Sequence, residues 1–232
     1  MFFKIEIMKK FIFLLVAATM ATTVSFAQNA KELAKEQYKA DKILLKLMNV
    51  KPTSSAKKEA RKYEKEGWLV PAGEVDIATQ ITKSQIYAEE LLRDDDGFTT
   101  RRYVQSTAIA KARSYNAAYN TAVQNAKADI AASLQTEIIA AMQSEIDNEA
   151  VSATGVEKFN MKASAITNST LTNTISSIVI YRRLEDKVIE FQVRIVFDKM
   201  ELVARLKREM LKQLELNSDD VENIVDTAVR NL

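Results

Sequence analysis

The sequence predicts an α+β fold: a small antiparallel sheet of about three strands packed on a long Ala-rich helix, with additional N-terminal and C-terminal amphipathic helices. Three observations carry this. Residues 113–147 contain no Pro or Gly and place Ala118, Ala122, Ala126, Ile130, Leu134, Ile138, Met142 and Ile146 at four-residue steps, a packing ridge along one helix. Residues 188–197 alternate Ile189, Phe191, Val193, Ile195 and Phe197 with Glu190, Gln192 and Arg194, as a half-buried strand does. With only 4 Gly and 2 Pro in 232 residues, the chain favours helices over elaborate loops.

From the start, Lys4, Lys9 and Lys10 precede an apolar run at residues 11–20, and Ser25-Phe26-Ala27 then offers a small-x-small site before Gln28. Basic, apolar and small in that order, residues 1–27 read as a cleavable signal peptide, with Met8 an equally good start. The apolar run is short for a bilayer span. Cleavage would remove three Lys and one Glu, leaving 30 basic and 30 acidic residues, a neutral chain.

Residues 28–97 read as an N-terminal helical region. Leu33, Ala34, Tyr38, Leu44, Leu45 and Met48 give one amphipathic helix over 30–49. Pro52 breaks it, Ser54 or Ser55 is expected to cap a second, and Gly67 to end that one. Trp68 then docks the region on the core. Asp76 caps a third helix with Ile77, Ile81, Ala88, Leu91 and Leu92 inward. Asp94-Asp95-Asp96-Gly97 reads as a turn; aligned as a calcium loop on Gly97, it would begin at Leu92 and end at Tyr103, which fails at both ends.

The core module spans residues 98–216. Residues 98–109 read as a strand, followed by the long helix, whose Ala end is expected across the sheet and whose 134–146 end is expected against flanking helices including 203–214. Residues 148–155 form a loop, with Thr154 and Glu157 as a capping box for a helix burying Phe159, Ala163, Ile166 and Leu171. Residues 178–184 and 188–197 form a hairpin turned at Glu185-Asp186-Lys187. Asp198 and Glu201 box the start of a helix burying Val203, Leu206, Met210 and Leu214. The last segment, 217–232, spaces Val221, Ile224, Val225, Ala228, Val229 and Leu232 as a docking helix too short to stand alone.

The chain has no Cys and no His, which removes disulfides, thiolate nucleophiles, most zinc and haem sites and the usual general base near neutral pH. Ser54-x-x-Lys57 and Ser55-x-x-Lys58 have the spacing of the first β-lactamase motif, but the companion Ser-Asp-Asn and Lys-Thr-Gly motifs are absent. Glu185, Asp186 and Glu190 cluster on the hairpin as turn and solvent-face acids do. Lys51, Lys57, Lys58, Arg61 and Lys62 form a basic stretch that, after export, reads as solvated helix face rather than a nucleic-acid site. No catalytic, cofactor-binding or metal residue is assigned, and no cofactor is expected.

A strand, the helix Ala118-x3-Ala122-x3-Ala126-x3-Ile130-x3-Leu134 and an antiparallel hairpin, covering roughly residues 98–197, together resemble the Lpp-twenty-like family of bacterial envelope lipoproteins. Related modules occur in flagellar-associated periplasmic proteins. Lys65-Glu66-Gly67-Trp68, with Phe26-Ala27-Gln28 at the leader's end, is similar to exported proteins of Bacteroidota. The resemblance implies a small module that binds or assembles in the envelope, without catalytic residues. Name-giving members are lipidated at a Cys, which this chain lacks.

The resulting expectation is a non-catalytic periplasmic binding or assembly module, secretion being the other destination. Its partner would be an envelope protein, cell-wall material or a second copy, with no nucleic acid and no membrane span after cleavage. An edge strand at 98–109 or at the hairpin could pair with a partner strand. The alternative is a carrier of a small apolar ligand or lipid.

Overall fold

A computed structural model describes residues 47, 50–93, 99–147, 153–172, 174–214 and 218–232. The chain divides into two compact units, Met1–Val50 and Lys51–Leu232. In the first, Leu47 and Val50 alone are described, so the expected leader and most of the 30–49 helix lie outside the described residues. The second is an α+β unit.

It opens with α1 (Ser54–Lys65) and α2 (Ile77–Glu89). Thr53, rather than Ser54 or Ser55, caps α1: its Oγ1 accepts from the Ala56 N–H at 3.1 Å. The helix closes on Gly67, whose φ of +82° suits a residue without Cβ. Gly67 N–H reaches Glu64 O at 3.1 Å and Trp68 N–H reaches Tyr63 O at 3.0 Å, the double bond of a Schellman stop, with the Trp68 and Tyr63 rings edge to face at 6.3 Å. Asp76 caps α2 as expected, accepting from Thr79 N–H at 2.9 Å.

Leu91 and Leu92 do not continue α2 inward. They lie in β1 (Leu91–Arg93), which pairs antiparallel with β2 (Thr99–Arg101), and Leu91 is exposed. The turn expected at 94–97 lies outside the described residues.

The strand expected over 98–109 divides at Arg102. After β2, β3 (Tyr103–Ala112) joins a second sheet of order β3-β5-β4, with β4 (Ile175–Arg183) and β5 (Ile189–Asp198), all antiparallel. Arg102 causes the division: its N–H donates to Glu90 O, its carbonyl accepts from Lys199 N–H, both at 2.9 Å, and its buried guanidinium holds Asp198 Oδ2 through Nε at 2.9 Å and Nη2 at 2.8 Å. The hairpin turn is where expected, with Asp186 and Lys187 at φ of 56° and 58°.

The long helix, α3 (Tyr115–Asp147), keeps its ridge: Ala118, Ala122, Ala126, Ile130, Leu134, Ile138 and Met142 are all buried. Its first half lies across β3 and β5. Asp129 accepts from Ser106 Oγ at 3.1 Å, and the helix from Tyr115 to Asp129 and the strand from Ala112 back to Ser106 each cover about 20 Å, so the two run side by side. Beyond that, α4 (Ala153–Thr170) and α6 (Ser218–Asn231) are its main helical neighbours. The 203–214 segment, expected on this end of α3, instead packs within α5 (Lys199–Leu214) on α4 and α6. The C-terminal helix docks on the core as predicted, burying Val221, Ile224, Val225, Ala228 and Val229.

Two further caps are settled. Asp198 Oδ1 accepts from Met200 N–H at 2.9 Å and starts α5, with Leu202, Leu206, Met210 and Leu214 buried. Ala153 is already helical, so the expected N-cap position Thr154 lies inside the first turn of α4. The Thr, Ser and Asn residues of α4 are accommodated in part by hydroxyls bonding back along the helix, Thr167 to Ala163 O at 2.8 Å and Thr170 to Ile166 O at 2.7 Å.

The wet face predicted for β5 is covered. Glu190, Gln192 and Val196 are buried under α1 and α2, which pack on the sheet face opposite α3. Polar groups there are satisfied: Gln192 Nε2 donates to Tyr63 Oη at 3.2 Å, and Arg194 Nη1 to Ser84 Oγ at 2.9 Å. The sheet is thus the middle of three layers. Among the described residues no helix is long and apolar enough to cross a membrane.

Ala122 and Ala126 are fully buried under the sheet. Ala122→Leu or Ala126→Leu is expected to lower stability by about 1–3 kcal/mol through overpacking. Urea unfolding checks this, and no change at either site would contradict the packing.

Candidate binding surfaces

The residues singled out by sequence motifs are not assembled into a reactive centre. Ser54, Ser55, Lys57 and Lys58 are exposed in the first turns of α1, and Ser55 Oγ lies 3.0 Å from Thr53 Oγ1, sharing a hydrogen bond with it. Lys51, Lys57, Lys58, Arg61 and Lys62 are all exposed, with Glu59 and Glu64 interspersed. Glu185 and Asp186 are exposed in the turn, whereas Glu190 is buried, so the three acids do not converge. No group of acids able to hold a metal ion occurs among the described residues.

Glu190 instead organises the hairpin end of the sheet. Its carboxylate receives Arg182 Nε and, at 3.2 Å, Lys111 Nζ. The Arg182 guanidinium lies over the buried Trp68 ring, 4.7 Å from its centroid, so Trp68 is a docking residue as expected. Burial alone would raise the Glu190 carboxyl, but the hydrogen bonds and charges of Arg182 and Lys111 outweigh it and hold it below the usual carboxylate range. On the opposite face, Phe191 is ringed by Tyr115 at 4.8 Å, Tyr119 at 5.5 Å and Tyr181 at 5.5 Å. Sequence reading passed over this cluster, although Tyr115 and Tyr119 share the four-residue spacing of the helix ridge.

The two edges of the sheet differ. On β4, the Tyr181 backbone exchanges both hydrogen bonds with Leu69, at 2.9 and 2.7 Å, and the Val179 N–H donates to Gln80 Oε1 at 2.7 Å. In an antiparallel sheet successive residues point their N–H and C=O to alternate sides. With Val179 and Tyr181 facing out, the register carries Phe191 and Val193 toward β3 and leaves Gln105, Thr107, Ile109 and Lys111 with their backbone groups on its outer edge. The Lys199 N–H bond to Arg102 O fits the same alternation. Among the described residues, no other segment's backbone bonds to this edge. Thr107, Ile109 and Lys111 are exposed, Ile109 by 51%.

A cavity of about 230 Å³ lies where α5 begins. Leu92, Met200, Val203 and Val229 give it apolar walls; Thr100, Lys199, Asp226 and Arg230 supply polar ones. Lys199 is only 3% exposed. Burial, with Arg101 nearby adding to it, pulls the Lys199 amine below its ordinary value. Neither signal was visible in sequence, where Lys199 was one cation among 33.

A carboxylate held low contributes stability above its unfolded value, near 4.3, and that contribution is lost as pH falls through the lower folded value. Glu190→Gln is therefore expected to cost about 1–3 kcal/mol at pH 7 and to shrink the stability difference between pH 7 and about pH 3. Urea unfolding at both pH values checks it, and an unchanged difference would contradict the assignment. No family model, curated protein or solved structure matches the chain.

Proposed function

We propose that the chain is an exported, non-catalytic binding module of the cell envelope, which takes an extended segment of a partner protein onto the outer edge of β3. The observation that carries this is the asymmetry of the sheet: Leu69 and Gln80 occupy the edge of β4, while residues 105–111 of β3 keep theirs unpaired among the described residues. Alternating N–H and C=O groups are matched best by another peptide strand, each bond contributing about 0.5–1.5 kcal/mol net. Ile109 adds an apolar contact.

The basic, apolar and small-residue order of residues 1–27 supports export to the periplasm. The order β3, α3, then the β4–β5 hairpin supports the likeness to Lpp-twenty-like proteins. The absence of His and Cys supports a role without catalysis. A carrier of a small ligand is the second reading, favoured by the cavity beside Lys199.

A photocrosslinking residue at Lys111 tests the edge in cells. It is expected to capture one partner protein with Ile109 intact or as Ile109→Val, and to lose it with Ile109→Pro. Proline there removes only an outward N–H and spares the β5 ladder. Capture that persists in a folded Ile109→Pro variant contradicts strand addition, and capture of a second copy makes the chain its own partner.

A further inference from the structure

The cavity at the start of α5 is independent of the strand edge and has a chemistry of its own. A lysine this deeply buried normally has an acid or carbonyl against it, because an unpaired ammonium loses its hydration without replacement. Among the described residues, no side-chain hydrogen bond or ion pair engages Lys199 Nζ; burial and the nearby Arg101 are what act on it. The acid in the cavity wall, Asp226, is already paired with Lys207 at 3.0 Å. Of the acids nearby in sequence, Asp198 is held by Arg102 and by the Met200 N–H, and Glu201 is paired with Arg205. Arg101 adds positive charge near Lys199. The site therefore sets a buried amine beside an apolar wall formed by Leu92, Val203 and Val229.

We infer that this cavity binds a small amphipathic carboxylate, its head on Lys199 and its hydrocarbon tail along Leu92, Val203 and Val229. An anion supplies the missing acceptor for Lys199, and the apolar wall requires that it carry a tail. Size sets the class: a cavity of about 150 Å³ holds benzene, so one of about 230 Å³ takes roughly nine non-hydrogen atoms. Carboxylates of six to eight carbons fit. The amine's lowered basicity is the expected state of the empty site, and the bound carboxylate restores it, so binding takes up protons at a pH between the amine's free and bound values.

The test uses octanoate, with octan-1-ol as a neutral ligand of the same length, on the full exported chain. Octanoate is expected to raise the Tm of the wild-type protein, and octan-1-ol to raise it less. Lys199→Met, which keeps the volume and removes the unpaired charge, is expected to fold, to weaken octanoate at least tenfold by calorimetry and to leave octan-1-ol unchanged or tighter. Octanoate binding that is absent in the wild type, or equal in wild type and Lys199→Met, overturns the inference. If Lys199→Met does not fold, the wild-type comparison decides: equal Tm shifts by the two ligands overturn it, and proton uptake on octanoate binding in two buffers of different ionisation heat supports it.

Discussion

The central strand β5 sets the constraint on which the rest depends. Its backbone is paired on both sides, by β3 and β4, so its side chains of both parities must be covered by something other than strands. Phe191, Val193, Ile195 and Phe197 go under α3, while Glu190, Gln192 and Val196 go under α1 and α2. That second layer explains the polar network on the covered face. Glu190, Gln192 and Arg194 are buried or half-buried and could not be so without Arg182, Tyr63 and Ser84 to receive them. Asp198, at the end of the same strand, both ties Arg102 and starts α5, so the strand's terminus also aims the C-terminal helices.

Length supplies the second constraint. At 33 residues α3 runs about 50 Å, whereas the ten-residue β3 beneath it runs about 33 Å. The overhang is apolar, with Ile138 and Met142 fully buried, and the sheet cannot reach it. Helices α4 and α6 cover it, which gives the marginal C-terminal segment its reason to fold. Small residues lie over the sheet and large ones over the overhang because a helix approaches a flat sheet closely only through Ala, while helix–helix gaps need filling.

Much of this was legible because the relevant signals are local. The Ala118 to Met142 row, the alternation of 188–197, the turn at Glu185–Lys187 and the Asp76 and Asp198 caps each depend on residues a few positions apart. What was not legible depends on distant partners. Alternation distinguishes the faces of β5 but says nothing of a second layer, so Glu190 was read as wet. Arg102 divides a continuous β-prone stretch because Glu90 and Asp198 are there to hold it, and neither is a neighbour in sequence. Thr53 outcompeted Ser54 and Ser55 for the cap of α1 by one position, a choice composition does not make. The candidate binding surfaces were the least visible. An open edge is defined by the absence of a neighbouring strand, and a buried unpaired amine by three elements meeting around it.

Among the described residues the sheet has one edge closed by its own chain and the other unpaired, and the proposed function rests on that asymmetry. Amide hydrogen exchange resolved by residue tests it most directly in the isolated protein. Slow exchange is predicted at Val104, Ser106, Ala108 and Ala110, which face β5, and at Val179 and Tyr181, which Gln80 and Leu69 cover. Fast exchange is predicted at Gln105, Thr107, Ile109 and Lys111. Uniform protection along β3, or fast exchange at Val179 and Tyr181, would contradict the account.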